Sequence, residues 1–180
     1  FAFPHPTDAR THEDGTVDLT EFPAPGEGLI GFDPIGATVD ALDGEVRGWS
    51  LLSGIYFRFS KPIDESTVTV STEPGATPTV RLVNLSTGQL HPIVANFNPL
   101  RNKYACGNRL FMQPVLARPL DKNTRYAAII TTAVLSEPTA DADGDGTPDP
   151  GSGDPAVQLE AMAMLLGDSE PSGAAEKRAW

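Results

Sequence analysis

An acidic stretch in the last third of the chain offers its clearest coordination chemistry. The residues from Asp141 to Asp149 read Asp-Ala-Asp-Gly-Asp-Gly-Thr-Pro-Asp and hold four carboxylates. Charges of one sign this close repel one another, and the stretch has almost no apolar side chain to bury. A folded chain tolerates them most easily around a hard cation, and calcium is bound by loops with acids at positions 1, 3, 5 and 9. The spacing therefore predicts a calcium-binding loop, which we call the acidic loop.

The predicted ligands follow the loop positions. Carboxylates come from positions 1, 3 and 5, a backbone carbonyl from position 7, a direct or water-mediated contact from position 9, and a late contact from an acid beyond the loop. In chain order they are Asp141, Asp143, Asp145, Thr147, Asp149 and Asp154. Gly146 occupies position 6, where the turn is sharp. Position 12 is Ser152 instead of a bidentate Glu, which predicts modest affinity and a structural, extracellular site.

The alternative interpretation is a solvated acidic loop without an ion, because Asp and Gly also favour turns. The alternating spacing favours calcium, since it satisfies the coordination geometry and solubility alone does not require it. Magnesium is disfavoured because it demands a tight octahedron and keeps its waters. No helix is predicted ahead of the loop, so the sequence does not predict an EF-hand. It predicts a structural calcium loop that holds a connection in place.

Composition limits the classes of partner and compartment. The formal net charge of −11 argues against nucleic acid and anionic membrane surfaces as partners. No apolar run approaches the roughly 20 residues that span a bilayer, which predicts no direct membrane insertion. Cys106 is the only cysteine, so it forms no internal disulfide, and we expect a buried structural thiol. Modest calcium affinity is useful where calcium is plentiful, which predicts a secreted or cell-envelope protein.

Short apolar runs separated by turn formers predict an all-β fold. Ile55, Phe57 and Phe59 alternate with polar or exposed types, as in a half-buried strand. Without βαβ alternation, the pattern predicts an immunoglobulin-like β-sandwich. The predicted strands are 53–60, 67–71, 79–85, 89–97, 108–113 and 124–134.

Three local features refine this prediction. The glycine-containing turn at 86–88 predicts a hairpin, and Pro92 predicts a sheet edge or a bulge. Residues 120–126 have the layout of a tyrosine corner, in which Tyr126 bonds back to the backbone. Exposed edge strands permit a protein partner or self-association.

The chain divides into three predicted parts. Residues 1–26 form an irregular, proline-rich N-terminal strap, residues 27–166 the sandwich with its loop and a C-terminal helix, and residues 167–180 the start of a following segment. The helix is expected to have Asp154 as N-cap and Pro155 as its first residue, continuing over 156–166. One carboxylate oxygen of Asp154 is then expected to cap the helix and the other to bind the ion.

Several motifs resemble bacterial extracellular modules. The stretch Ile55-Tyr-Phe-Arg-Phe-Ser-Lys-Pro-Ile-Asp64 and the later Pro119-Leu-Asp-Lys-Asn-Thr-Arg-Tyr126 resemble Ig-like modules of surface-layer and secreted proteins. Phe3-Pro-His-Pro-Thr-Asp8 and Asp14-Gly-Thr-Val-Asp-Leu19 resemble the N-terminal domain of bacterial virulence-factor lipases. The acidic loop resembles those of thrombospondin type 3 and dockerin modules. The lipase resemblance implies an Ig-like domain that precedes an α/β-hydrolase domain.

Two functions follow as hypotheses. The first is a non-enzymatic, calcium-stabilised Ig-like module with a spacer, adhesion or assembly role, because no serine lies in a Gly-x-Ser-x-Gly elbow. The second is an accessory N-terminal domain of a lipase or esterase whose hydrolase domain lies beyond Trp180. A weaker hypothesis is sugar binding through Trp49 and Tyr56, although Trp49 is expected to pack against the core or the strap.

Overall fold

Strands make up most of the regular structure. The computed structural model describes residues 5–155 apart from 23, 25, 29, 30, 74, 102–105, 140, 144 and 146. Two antiparallel three-stranded sheets have the orders β1-β5-β4 and β3-β2-β6. Within the described part, no helix combines the length and apolar character that crossing a bilayer requires. The strands are β1 (Ile55–Arg58), β2 (Val80–Asn84), β3 (Leu90–His91), β4 (Ile93–Asn98), β5 (Arg109–Pro114) and β6 (Tyr126–Ile130).

One hydrophobic core receives side chains from both sheets. On β1, Ile55 and Phe57 are buried while Tyr56 and Arg58 are exposed, which confirms the predicted alternation. On the central strand β5, alternate side chains are likewise buried, because a strand turns successive side chains to opposite faces. The buried cluster is Ile55, Phe57, Phe59, Ile63, Val80, Leu82, Phe97, Leu110, Met112 and Val134.

Pro92 divides a segment that the sequence predicts as a single strand. Before it, β3 pairs with β2 in the predicted hairpin, with Leu82 opposite His91. After it, β4 pairs with β5 in the other sheet. Proline has no N–H to donate to a ladder, and its carbonyl accepts from Val115 N at 3.1 Å. The sequence predicts a sheet edge or a bulge at Pro92, and the chain instead passes from one sheet to the other there.

Two predicted strands and the predicted thiol need correction. Residues 67–71 do not form a strand, because the 3-10 turn Glu65–Thr67 turns the chain, and Thr69 then exchanges hydrogen bonds with the Thr79 side chain and backbone. The strand predicted over 124–134 is shorter, since a turn follows β6 and Val134 N donates to Thr131 O. Cys106 is exposed, because it lies in the β4–β5 connection outside the core.

One helix, α1 (Pro34–Leu42), was not predicted from the sequence. Asp33 is its N-cap, accepting from Ile35 N at 3.1 Å and Gly36 N at 2.9 Å. The same Asp-Pro signal was assigned to a helix at 154–155, but Pro155 forms an isolated bridge with Leu135. Residues 156–166 of that predicted C-terminal helix lie outside the described residues.

The N-terminal strap contacts both the body and the segment around α1. His5 forms an antiparallel bridge with Tyr56 at the free edge of β1. Val17 N donates to Val46 O at 2.8 Å, so the 15–18 stretch runs beside residues 44–48. The Trp49 ring packs edge-on against His5, with centroids 4.9 Å apart, as expected for a residue packed on the strap.

The predicted tyrosine corner is confirmed at the start of β6. The Tyr126 hydroxyl accepts from Asp121 N at 3.1 Å and donates to the Asp121 carboxylate at 3.0 Å. It therefore fastens the connection that precedes β6 to the strand itself.

Replacing Tyr126 with phenylalanine should lower the free energy of unfolding by about 1 kcal/mol, because the bonds to Asp121 are lost without opening a cavity. Urea denaturation measures this change. Tyr56→Phe is the matched control, since that side chain lies on an exposed sheet face. Equal stability of the two variants would contradict a role for the corner.

Candidate metal centre

The acidic loop departs from the two-sheet body and returns to it at one place. Ser136 N donates to Asp154 O at 2.7 Å, and Leu135 forms a bridge with Pro155. One step further out, Thr139 N donates to the Ser152 hydroxyl at 3.1 Å. These contacts close the loop at its base, on both sides of the acidic stretch.

Asp64 connects the loop base to the body. Its Oδ2 accepts from Gly151 N at 2.6 Å, a contact between residues 87 positions apart. Its Oδ1 accepts from Ser66 N at 2.9 Å and from the Ser66 hydroxyl at 2.6 Å, and its own N–H donates to Leu135 O. One side chain therefore caps the 3-10 turn after Ile63 and holds the segment of the loop that returns to the body.

The environment of Asp64 favours its ionised form. Its side chain is buried, with 8% of its surface exposed. Burial raises the pKa of this carboxyl, but the hydrogen bonds from Ser66 and Gly151 outweigh burial, and the pKa lies below its ordinary value. The Asp64 carboxylate is consequently ionised in the folded protein at neutral pH.

Close backbone packing at Gly153 also defines the loop base. A Cβ added at Gly153 would lie 2.1 Å from Ser136 O, well inside van der Waals contact. Only glycine fits this approach without moving one of the two segments. The base of the loop is therefore a packed part of the body.

Three predicted ligands meet at the tip of the loop. Carboxylate oxygens of Asp141, Asp143 and Asp145 all lie within 4.8 Å of one another, and all three residues are exposed. A site made only of carboxylate oxygens suits hard cations such as calcium, magnesium or manganese. The alternating spacing therefore produces a convergent group of acids.

Hydrogen bonds within the loop shape this group. Asp145 Oδ1 accepts from Thr147 N at 2.8 Å and from the Thr147 hydroxyl, and Asp143 Oδ1 accepts from Asp145 N at 3.1 Å. The bonds from the Thr147 side chain and backbone lower the pKa of Asp145. Local turns thus hold the Asp143 and Asp145 carboxylates, and Asp145 stays ionised to a lower pH than an ordinary aspartate.

The other predicted ligands have different contacts. Asp149 Oδ2 accepts from Ala142 N at 2.8 Å and so joins the two ends of the acidic stretch. Thr147 contacts Asp145 through its N–H and hydroxyl. Asp154 is exposed and contributes its carbonyl to the loop base. The group of three carboxylates does not include Asp149 or Asp154 among the described residues.

A second group of titratable side chains was not predicted. Ring or carboxylate atoms of His12, Asp18 and Asp43 lie within 4.8 Å of one another. Asp43 Oδ1 accepts from Leu19 N at 2.6 Å, and Asp18 Oδ1 accepts from Thr20 N at 3.0 Å, so both carboxylates stabilise turns of the strap. Spacing rules do not find such a group, because its members come from separate segments.

The motifs that resemble Ig-like modules have structural roles here. Asp64 ends the first motif and holds the loop base, and Tyr126 ends the second and forms the corner. Comparisons of this chain with protein-family models, curated proteins and solved structures give no match.

Proposed function

We propose that the chain is a non-enzymatic, calcium-stabilised Ig-like module of a secreted or cell-envelope bacterial protein, with a spacer, adhesion or assembly role. The observation that carries this proposal is the convergence of Asp141, Asp143 and Asp145 on a loop whose two ends are fastened to the body. An ion held by these oxygens offsets their mutual repulsion and restricts the loop.

The position of the loop supports a structural role for the ion. Asp64 and Ser136 hold the base, while the acids at the tip are exposed. Calcium tolerates varied geometry and completes its six to eight ligands with carbonyls and water, which suits an open group of three carboxylates. Binding at the tip adds stability to the folded form by mass action, without any chemical step.

The sheet arrangement supports the Ig-like part of the proposal. Two antiparallel sheets share one core, and the chain changes sheets between β3 and β4. The bond from Asp121 N to the Tyr126 hydroxyl is the contact that a tyrosine corner makes in Ig-like sandwiches. We therefore propose an Ig-like β-sandwich as the scaffold that holds the loop.

Calcium is expected to raise the thermal midpoint of the chain relative to chelator. At a free concentration 100 times the dissociation constant the stabilisation is about 2.7 kcal/mol, a rise of about 5–10 °C for a chain of this size. Asp143→Asn should abolish most of this rise. In chelator the same variant should melt slightly higher than the wild type, because it carries one fewer like charge in the group.

Asp40→Asn is the control for that experiment. It removes the same charge from an exposed position on α1, away from the loop, and should retain the full calcium response. Magnesium at equal concentration should have a much smaller effect. An identical midpoint in calcium and in chelator would remove calcium from the proposal.

The second proposal is an accessory domain of a lipase or esterase. It is supported by the strap stretch that resembles the lipase N-terminal domain, since Asp14 and Val17 contact residues 46–47 and so belong to the packed structure. Coding sequence after Trp180 with Gly-x-Ser-x-Gly between a strand and a helix would support it. A stop codon or further Ig-like repeats there would contradict it.

A further inference from the structure

The outer face of the β1-β5-β4 sheet has a composition unlike the rest of the chain. Alternation turns two side chains of β1 and three each of β5 and β4 away from the core. None of these is acidic, although the chain has 24 acidic against 13 basic residues. They are Tyr56, Arg58, Arg109, Phe111, Gln113, Val94, Asn96 and Asn98, which we call the arginine-aromatic face.

The first cross-strand row of this face is cationic. Arg58 and Arg109 are directly opposed on β1 and β5, and Asn98 lies opposite Arg109 on β4. Like charges directly opposite each other destabilise a sheet. The Arg109 Nε is buried and has no hydrogen-bond partner. An anion placed between the guanidinium groups would relieve the repulsion between them.

The second row is aromatic. Tyr56 lies opposite Phe111, with ring centroids 5.0 Å apart and planes tilted by 48°, and Asn96 completes the row on β4. The Phe111 ring covers Gly54, where an added Cβ would lie 2.1 Å from the ring. Tyr56 remains 44% exposed. The row therefore offers an open aromatic surface with an amide at its end.

We propose that the arginine-aromatic face binds an acidic polysaccharide. The electron-rich faces of Tyr56 and Phe111 attract the C–H edges of a pyranose ring. The two rows are two residues apart, about 7 Å along the strands, so a carboxylate or sulfate on a stacked sugar reaches Arg58 and Arg109. Arginine binds such groups through paired N–H donors.

An acidic sugar chain fits this face better than an acidic peptide does. The arginine row alone would serve either ligand, since both carry carboxylates. The aromatic row and the neighbouring amides of Asn96, Asn98 and Gln113 add what a sugar requires, which is a flat apolar surface beside hydroxyl-binding groups. The face lies outside the acidic loop, so this proposal does not rest on calcium.

The test measures binding of the full chain to polygalacturonate by calorimetry in a low-salt buffer that contains chelator. Chelator prevents calcium from crosslinking the polymer or occupying the loop. We expect polygalacturonate to bind, dextran not to bind, and added salt to weaken the interaction because it is charge-assisted. Equal binding of poly-L-glutamate would identify an acidic-polypeptide surface and overturn the proposal, as would equal binding of dextran.

Variants of exposed residues locate the site. Arg58→Gln and Tyr56→Ala should each weaken polygalacturonate binding by about tenfold, since each removes one charge-assisted or stacking contact. Arg118→Gln is the matched control, because it removes the same charge from an exposed residue outside this face. The thermal midpoint of each variant verifies that it is folded. Unchanged binding by folded Arg58→Gln, or an equal loss in Arg118→Gln, would overturn the proposal.

Discussion

Replacing Asp64 with alanine is expected to lower the free energy of unfolding by about 3 kcal/mol, because the N–H groups of Ser66 and Gly151 lose a charged acceptor. The 3-10 turn after Ile63 loses its N-cap, and the segment of the acidic loop that returns to the body loses its hydrogen bond to Asp64. Urea denaturation in chelator measures the change. A second measurement with calcium should show a weaker calcium response, since the loop base is no longer held.

Asp64→Asn tests the charge separately from the shape. Because the folded pKa of Asp64 is lowered, its ionised form contributes stability above the unfolded pKa of about 3.9, and that stability is lost as the pH falls through the folded pKa. The stability difference between the wild type and Asp64→Asn should therefore shrink in acid. Glu65→Gln, an exposed neighbour, should cost little at any pH. A pH-independent difference would contradict the assignment.

Replacing Leu110 with alanine is expected to lower the free energy of unfolding by about 3–4 kcal/mol, through lost burial and the cavity that remains. Leu110 has no exposed surface and lies on the central strand β5, opposite Phe57 on β1 and Phe97 on β4. Because these neighbours belong to paired strands, they have little freedom to move into the space. Denaturation curves with an unchanged slope would measure the loss directly.

Leu116→Ala is the control for this core substitution. Leu116 is 74% exposed in the connection after β5, and its truncation should change stability by less than about 0.5 kcal/mol. A comparable loss in the two variants would show that Leu110 does not occupy the core described here.

Local patterns in the sequence correctly predicted those elements whose signals depend on neighbouring residues. The alternation of Ile55, Tyr56 and Phe57 predicted a half-buried strand, because a strand has a period of two wherever it lies. The layout of residues 120–126 predicted the corner for a similar reason, since the bond from Asp121 N to the Tyr126 hydroxyl spans five positions. The spacing of the acids likewise predicted the group at the loop tip.

The same kind of signal failed where tertiary contacts compete with it. Asp33-Pro34 begins α1, whereas Asp154-Pro155 leads into a bridge with Leu135. Both pairs favour a helix start locally. At 154–155 the bond from Ser136 N to Asp154 O commits the chain to an extended pairing with the body. The local preference for a helix start is of the order of 1 kcal/mol, and such tertiary contacts readily override it.

The spacing of the acids along the chain sets the chemistry of the acidic loop, namely oxygen donors at alternating positions that turns bring together. The spacing did not show which of the five predicted acids converge; among the described residues Asp141, Asp143 and Asp145 do. The folded structure establishes what fastens the loop, because the contact between Asp64 and Gly151 joins residues 87 positions apart. It likewise aligned Arg58 with Arg109 and Tyr56 with Phe111. Strand pairing sets such contacts, and no spacing along the chain encodes them.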